Sequence, residues 1–215
     1  MVPALLVCQL VLAAASGEAM AATQGRIKIV ALGDSLTAGY LLKPAEAFPA
    51  QLEAALSAAG QTVEVMNAGV SGDTTAGGLD RLDWSVPEGT DVVILELGAN
   101  DALQGLDPKG TEANLNKIIV KLKARNIEVL LAGMLAPRNL GDTFITRFDS
   151  MFPRLAKTHG LPLYPFFLEG VIGDARLSLG DGLHPNGKGV AKIVAGILPA
   201  VQSLIAQVRQ AKAGG

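Results

Sequence analysis

Cysteine is nearly absent from this sequence, which contains only Cys8. Cys8 lies within an apolar stretch from about residue 4 to residue 15, and an A-x-A pattern at residues 19–21 follows. This order is typical of a secretory signal peptide, so we expect residues 1–21 to be removed by cleavage after about Ala21. A short buried helix or a membrane anchor is the alternative, but the stretch is short for a bilayer. A mature chain without cysteine would exclude disulfides, thiolate nucleophiles and Cys-ligated metals.

Aromatic and charged residues are also scarce. Aromatic residues make up 4% of the chain, and the formal net charge is only −2. No basic run offers a surface for nucleic acid, and few rings are available to stack on bases, so we expect no nucleic-acid partner. With 49% hydrophobic residues in 215, the chain can bury one sizeable core. We therefore expect one domain over residues 22–215. The predicted signal peptide indicates that this domain is located in the periplasm or secreted, without stable membrane insertion of the mature chain.

Five apolar, β-branched stretches predict strands, and segments of helical period separate them. The stretches run continuously rather than alternating, which is typical of parallel strands covered on both faces. Strands that alternate with helices predict an α/β domain, here a flavodoxin-like three-layer α/β/α sandwich with a five-stranded parallel sheet. The predicted strands are residues 27–32, 63–67, 92–97, 127–133 and 163–167. The predicted helices are residues 47–60, 111–126 with Thr111 as a cap, 143–160 with an interruption at Pro153, and about 189–211; residues 74–84 predict a helix least clearly.

Polar residues follow the carboxyl end of each predicted strand, in the segments 33–35, 67–75, 98–101, 135–142 and 181–187. In open α/β sheets the ligand crevice lies outside these strand ends, so residues far apart in sequence can meet there. Turn formation accounts for most of the glycines and some of the aspartates. It does not account so readily for Ser35, Asn100 and His184, which are therefore candidate functional residues.

Histidine occurs twice. His159 precedes Gly160 at a predicted helix end, where a cation is favourable near the carboxyl terminus of a helix. His184 lies in a predicted loop, three residues after Asp181. A carboxylate at that spacing can accept the Nδ1–H of the imidazole, which fixes the tautomer and leaves Nε2 free as a base.

These residues fit nucleophilic catalysis. A serine hydroxyl is a poor nucleophile until a base removes its proton, so Ser35 and His184 form a candidate nucleophile–base pair. Acyl transfer also needs hydrogen-bond donors for the developing oxyanion, and a glycine N–H and an amide side chain suit that task. Gly72 and Asn100 are the candidates at the same predicted sheet edge.

Four blocks of sequence resemble the GDSL, or SGNH, hydrolases, and in particular the bacterial periplasmic branch of acyl-CoA thioesterases, lysophospholipases and arylesterases. The blocks are "LGDSLTAGY", "NAGVSGDTT", "LELGANDAL" and "DGLHPNGKG". The resemblance implies that Ser35 is the nucleophile, His184 the base and Asp181 the residue that orients it. It also implies an oxyanion hole made by the Ser35 N–H with Gly72 and Asn100. The second block contains Gly69 as well, and Gly72 is preferred because it lies in the matching "SGDT" portion.

The function that the resemblance implies is hydrolysis of small-molecule carboxylic esters and thioesters through an acyl-enzyme intermediate, with no cofactor and no metal. Residues 101–110 and 137–143 are expected to line the acyl pocket. Two alternatives stay open. One is a carbohydrate acetylesterase of the same fold. The other is a metal-dependent phosphoryl hydrolase, because aspartates follow several strands and clustered carboxylates can hold magnesium. Those aspartates are Asp34, Asp73, Asp101 and Asp181.

Overall fold

A five-stranded parallel sheet forms the centre of the molecule. The computed structural model describes residues 25–214; the predicted signal peptide and Cys8 lie outside them. The strands are β1 (Ile27–Gly33), β2 (Val63–Gly69), β3 (Val92–Glu96), β4 (Glu128–Ala132) and β5 (Leu163–Tyr164). The strand order is β2-β1-β3-β4-β5, and all neighbouring strands run parallel. The predicted α/β fold with five parallel strands is confirmed.

Strands β1, β3 and β4 occupy the middle of the sheet, and their side chains are almost all buried. This burial on both faces explains why their apolar residues run continuously in the sequence. Strand β5 is shorter than predicted and ends at Tyr164. Pro165 follows it and has no N–H to donate to a strand ladder, and the chain rejoins the sheet edge only through the Phe167 N–H, which donates to the Gly133 carbonyl.

Helices cover the sheet in two groups. The helices are α1 (Ser35–Ala38), α2 (Phe48–Ala58), α3 (Thr75–Asp80), α4 (Leu82–Ser85), α5 (Ala99–Leu103), α6 (Pro108–Ala124), α7 (Asp142–His159) and α8 (Gly187–Gly214). Helix α2 packs on α8 and β2, whereas α6 packs on α7, α3 and β4. The link after β2, which predicted a helix least clearly, contains the two short helices α3 and α4. A 3₁₀ turn at Pro44–Glu46 precedes α2.

Two helix predictions are wrong in detail. Thr111 does not cap α6: the helix begins at Pro108, and the Asp107 side chain caps it by accepting the Lys109 N–H. Thr111 instead lies buried inside the helix and donates to Asp101. Pro153 does not interrupt α7, which continues through it. The buried apolar face of this helix stabilises it enough to offset one missing backbone hydrogen bond.

Helix α8 is longer than predicted, and among the described helices it alone is long and apolar enough to cross a bilayer. Its apolar side chains, including Ile193, Ile197, Val201 and Leu204, are buried in the protein core. The helix also packs on α2 and β4. These contacts identify α8 as a core helix of the domain.

Candidate active site

Ser35 lies at the point where the first strand turns into the first helix. Strand β1 ends at Gly33, and Asp34 caps α1 by accepting the Leu36 N–H at 2.9 Å. Ser35 is therefore the first residue of α1, and it is 9% exposed. The first N–H groups of a helix have no acceptor within the helix. The Ser35 N–H belongs to this set and donates to no backbone acceptor within residues 25–214, so it can bind a ligand.

The structure brings Ser35 and His184 together, although 149 positions separate them. Ser35 Oγ lies 2.9 Å from His184 Nε2. On the other side of the ring, His184 Nδ1 lies 2.6 Å from Asp181 Oδ2. A base must lie within hydrogen-bond distance of a hydroxyl to take its proton, and both separations are hydrogen-bond distances. The three side chains that the sequence selected thus form a continuous hydrogen-bonded series.

The loop before α8 holds Asp181 in place independently of the imidazole. Asp181 Oδ1 accepts the backbone N–H groups of Leu183 at 2.9 Å and of His184 at 3.0 Å. These backbone bonds, with the bond to the His184 ring, lower the pKa of Asp181 to about 2. The carboxylate is therefore ionised throughout the range in which an imidazole can serve as a base. The Tyr40 ring lies 4.6 Å from the His184 ring, centre to centre, and limits its rotation.

Asn100 lies beside the serine turn, at the start of α5. Its Nδ2 group donates to Asp34 Oδ2 at 3.1 Å and to the Asp73 carbonyl at 2.8 Å. These bonds place an amide N–H₂ group against the residues that precede Ser35 and follow Gly72. Asn100 also lines the cavity that opens at Ser35.

Gly72 occupies a turn that joins β2 to α3, in which the Asp73 N–H donates to the Val70 carbonyl. Its φ of +86° explains the glycine, because other residues rarely adopt this backbone conformation. The Gly72 N–H donates no hydrogen bond within residues 25–214. By contrast, the Gly69 N–H already donates to Asn67 Oδ1 at 2.9 Å. Of the two glycines, Gly72 is the one with an N–H available for an oxyanion.

An apolar cavity of about 390 Å³ opens at Ser35, Asn100 and His184. The predicted pocket segments supply Leu103, Pro137 and Arg138 to its wall. Six further lining residues come from positions 134–136, directly after β4, and from the segment after β5, which lie outside the two predicted pocket segments. Those additional lining residues are Met134, Leu135, Ala136, Phe166, Leu168 and Ile172, joined by Leu183 beside the base.

The sequence also matches a family of known proteins. The model of the GDSL-like Lipase/Acylhydrolase family matches residues 31–192, a span that runs from the serine turn through the His184 loop. The chain belongs to this family.

Individual members of the family are similar over most of their length. An arylesterase from Vibrio mimicus is 41% identical over 77% of this chain and 84% of its own. The thioesterase 1/protease 1/lysophospholipase L1 of Escherichia coli K12 is 39% identical over 74% and 75%, respectively. The crystal structure of TesA superposes with a TM-score of 0.78 at 34% identity, and covers 82% of this chain and 99% of that one. AlinE4, an SGNH-hydrolase family esterase, gives 0.71 at 43% identity, with coverage of 83% and 96%.

The aspartates that suggested a metal site in this GDSL-like chain have separate partners. Asp34 caps α1, and Asp181 holds His184. Asp73 pairs with Arg81, and Asp101 accepts three hydrogen bonds from the threonines of α3 and α6. No group of three or more His, Cys, Asp or Glu side chains suited to a metal occurs in the part of the chain that the structure describes. The donor arrangement therefore does not favour the phosphoryl-hydrolase alternative.

Arg81 is a site residue that the sequence analysis missed. Its guanidinium group is buried and donates to the Asp73 carboxylate, to the Ala68 carbonyl at 2.8 Å and to the Gly33 carbonyl at 2.8 Å. One side chain thus ties the ends of β1 and β2 to the turn that carries Gly72. A planar group with five N–H donors can do this, whereas a lysine cannot.

Glu96 is the second residue that the sequence analysis missed. It ends β3, pairs in register with Gly33, and is 0% exposed. Its Oε2 atom accepts the Thr37 hydroxyl at 2.7 Å. Burial, and then the nearby charge of Asp34, raise the pKa of Glu96 well above its ordinary value. Burial also raises the pKa of Asp34 to about 6, although the Leu36 N–H and His184 act in the opposite direction. A glutamate within the apolar run "VVILELG" was the sequence signal for this site.

Proposed function

We propose that this protein hydrolyses carboxylic esters and thioesters by an acyl-enzyme route, with Ser35 as nucleophile and His184 as general base. The observation that carries this proposal is the 2.9 Å contact between Ser35 Oγ and His184 Nε2, with the opposite ring nitrogen on Asp181. A serine whose proton can pass to an oriented imidazole is activated for attack on a carbonyl carbon.

The reaction follows from these positions. His184 Nε2 takes the proton of Ser35 Oγ as the oxygen bonds to the carbonyl carbon of the substrate. The negative charge that develops on the carbonyl oxygen is stabilised by the N–H groups of Ser35 and Gly72 and by Asn100 Nδ2. Both N–H bonds of Asn100 Nδ2 already have acceptors, so one of them, to Asp34 Oδ2 or to the Asp73 carbonyl, is exchanged for the bond to the oxyanion. His184 then gives the proton to the departing alcohol or thiol, and the acyl group stays on Ser35. Water repeats the same steps and releases the carboxylic acid, and no cofactor is needed.

The fit of the acyl group in the cavity beside Ser35 decides which substrates the enzyme accepts. The cavity of about 390 Å³ beside Ser35 is lined mainly by apolar side chains, among them leucine, methionine, phenylalanine and isoleucine. Its size and apolar wall favour acyl chains longer than acetyl. This observation supports an aryl ester, thioester or lysophospholipid substrate, as the names of the relatives indicate, over the carbohydrate acetylesterase alternative.

We also propose that residues 1–21 direct export and that the enzyme acts in the periplasm or outside the cell. The basis is the apolar segment followed by the A-x-A pattern. Sequencing the amino terminus of the protein recovered from the periplasm tests this; a mature chain beginning near residue 22 supports it, and an amino terminus that retains residues 1–21 contradicts it.

The test of the hydrolytic mechanism is burst kinetics with p-nitrophenyl acetate, followed by a series of p-nitrophenyl esters from two to sixteen carbons and palmitoyl-CoA. Wild-type enzyme should release a burst of p-nitrophenol from the acylation step. Ser35→Ala should keep its fold and lower kcat about 10⁶-fold. Ser71→Ala, an exposed residue of the neighbouring turn, is the matched control. Activity that survives in Ser35→Ala, or that disappears with EDTA, would reject the serine mechanism.

A further inference from the structure

The carboxyl group of Glu96 lies directly beneath the turn that carries the nucleophile, and nothing in the proposed reaction uses it. Glu96 Oε2 accepts the Thr37 hydroxyl at 2.7 Å and lies 3.4 Å from the Asp34 backbone N. Asp34 precedes Ser35 by one position, and Thr37 follows it by two. The carboxyl group therefore contacts the turn on both sides of the nucleophile.

Gly33 provides the room for this arrangement. A Cβ atom at residue 33 would overlap the Thr37 hydroxyl and would lie 2.5 Å from Glu96 Oε2. The φ of Gly33 is not positive, so backbone strain does not explain the glycine. The close approach of the Glu96 carboxyl does explain it.

The surroundings of Glu96 are those of a neutral acid. It is fully buried, and no Lys, Arg or His forms an ion pair with it among the described residues. An isolated carboxylate in such a place would lose its hydration without compensation. Its other oxygen, Oε1, has no hydrogen-bond partner within residues 25–214, which a carboxylate would tolerate least. The direction of its pKa shift, well above the ordinary value, agrees with this geometry.

We propose that Glu96 is a positioning residue for the nucleophile: as a neutral carboxylic acid it holds Asp34 and Thr37, and through them fixes both Ser35 Oγ and the Ser35 N–H. This inference rests on the proposed function, since it concerns the geometry of the same serine. Both reacting groups of Ser35 must be placed within a few tenths of an ångström, and a displacement near 1 Å can lower a rate about 100-fold. Because Glu96 does not line the cavity and acts only through groups that stabilise the transition state, its loss should lower kcat and leave KM nearly unchanged.

Two substitutions of similar size separate the positioning role from simple packing. Glu96→Gln keeps an oxygen acceptor in the place of Oε2 and cannot ionise, so it reproduces the neutral acid. Glu96→Leu fills the same space without an acceptor. With p-nitrophenyl butyrate we expect Glu96→Gln to keep kcat within about threefold of wild type, and Glu96→Leu to lose about 10- to 100-fold in kcat with KM changed less than threefold.

A second pair approaches the same hydrogen bond from its donor. Thr37→Ser keeps the hydroxyl and should retain kcat, whereas Thr37→Val keeps the shape, removes the hydroxyl and should lose about as much as Glu96→Leu. The double variant Glu96→Leu/Thr37→Val should be no slower than either single variant, because both remove one interaction. The Thr37 variants test the same hydrogen bond without changing Glu96, so they can still refute the proposal when Glu96→Leu does not fold.

The outcomes are distinct from those that test the proposed function. Wild-type turnover and the Ser35→Ala variant decide whether the protein is a serine hydrolase, and only the ratios among the variants at positions 37 and 96 decide the role of Glu96. A folded Glu96→Leu with wild-type kcat would reduce Glu96 to a packing residue. A Glu96→Gln as slow as Glu96→Leu would show that a neutral acceptor at this place does not position the nucleophile, and would overturn the proposal.

Discussion

If Glu96 is held as a neutral acid, its burial must make the stability of the protein depend on pH. The unfolded chain releases the proton of this glutamate near its ordinary pKa of 4.5, whereas the folded protein keeps it to a pKa well above that value. Above pH 4.5 the unfolded state therefore binds fewer protons than the folded state, and the free energy of unfolding falls as the pH rises. This cost is absent well below pH 4.5 and grows until the pH reaches the folded-state pKa. Glu96→Gln, which has no proton to lose, removes it.

The magnitude follows from the slope of 1.36 kcal/mol per pH unit for one proton. Between pH 5 and pH 7 the unfolded chain goes from mostly to fully ionised at this site, so the cost grows by at most about 2.5 kcal/mol, the limit reached when the folded protein keeps its proton throughout. Glu96 is 0% exposed, and solvent screening does not reduce the effect. For a domain of this size, 1 kcal/mol corresponds to about 2–4 °C in Tm. We therefore expect the Tm of Glu96→Gln to rise relative to wild type on going from pH 5 to pH 7, by at most about 5–10 °C.

Urea unfolding followed by circular dichroism at pH 5, 6 and 7, at constant ionic strength, measures this difference directly. Glu88→Gln is the matched control for loss of a carboxyl group, since the Glu88 side chain is 98% exposed. Using the difference between variant and wild type removes the contribution of titrating groups that do not interact with Glu96. The charge of Asp34 does interact with it, so the change at Asp34 is part of the measured difference. A stability difference between Glu96→Gln and wild type that is the same at pH 5 and pH 7 would refute the reasoning, because it would mean that Glu96 ionises equally in the folded and unfolded chains.

Three further predictions concern the rest of the site. Asp181→Asn should lower kcat about 10³- to 10⁴-fold and be at least as slow as Asp181→Ala, because the loop N–H groups hold the amide oxygen and turn its N–H₂ towards His184 Nδ1, which imposes the wrong tautomer; an Asn variant within threefold of wild type in steady-state assays contradicts this. Arg81→Met should cost about 3 kcal/mol in urea unfolding by leaving the Asp73 carboxylate without its cation, and Asp73→Asn in the same chain should restore part of it; an unchanged midpoint would disprove the pairing. Leu135→Trp at the cavity wall should lower kcat/KM for a dodecanoyl ester at least tenfold and leave the acetyl ester within threefold; equal losses on both esters would place the acyl chain elsewhere.

The central strands were predictable because burial on both faces leaves a continuous apolar run, which turn residues then end. The limits of the outer elements were less predictable, since tertiary packing decides them. The proline within α7 did not break that helix, because its apolar face packs into the core. Thr111 has a side chain that can cap a helix, but its hydroxyl donates to Asp101 on another helix, a contact that sequence spacing does not reveal.

The catalytic candidates were predictable for a different reason. Ser35, His184 and Asn100 are residue types that a turn does not require, and they follow separate strands whose ends meet at one edge of a parallel sheet. The supporting residues were not predicted. Arg81 resembles any charged residue between two short helices until its acceptors are seen, three of which come from β1, β2 and the Gly72 turn. The cavity wall depends on how loops pack, which local sequence patterns do not determine.

The contact between Ser35 and His184 spans 149 positions, so the reacting pair exists only after nearly the whole domain has folded. A growing chain on the ribosome already displays its serine turn while the loop with the imidazole has not yet been made. Turnover in an extract therefore counts only those molecules that have completed folding.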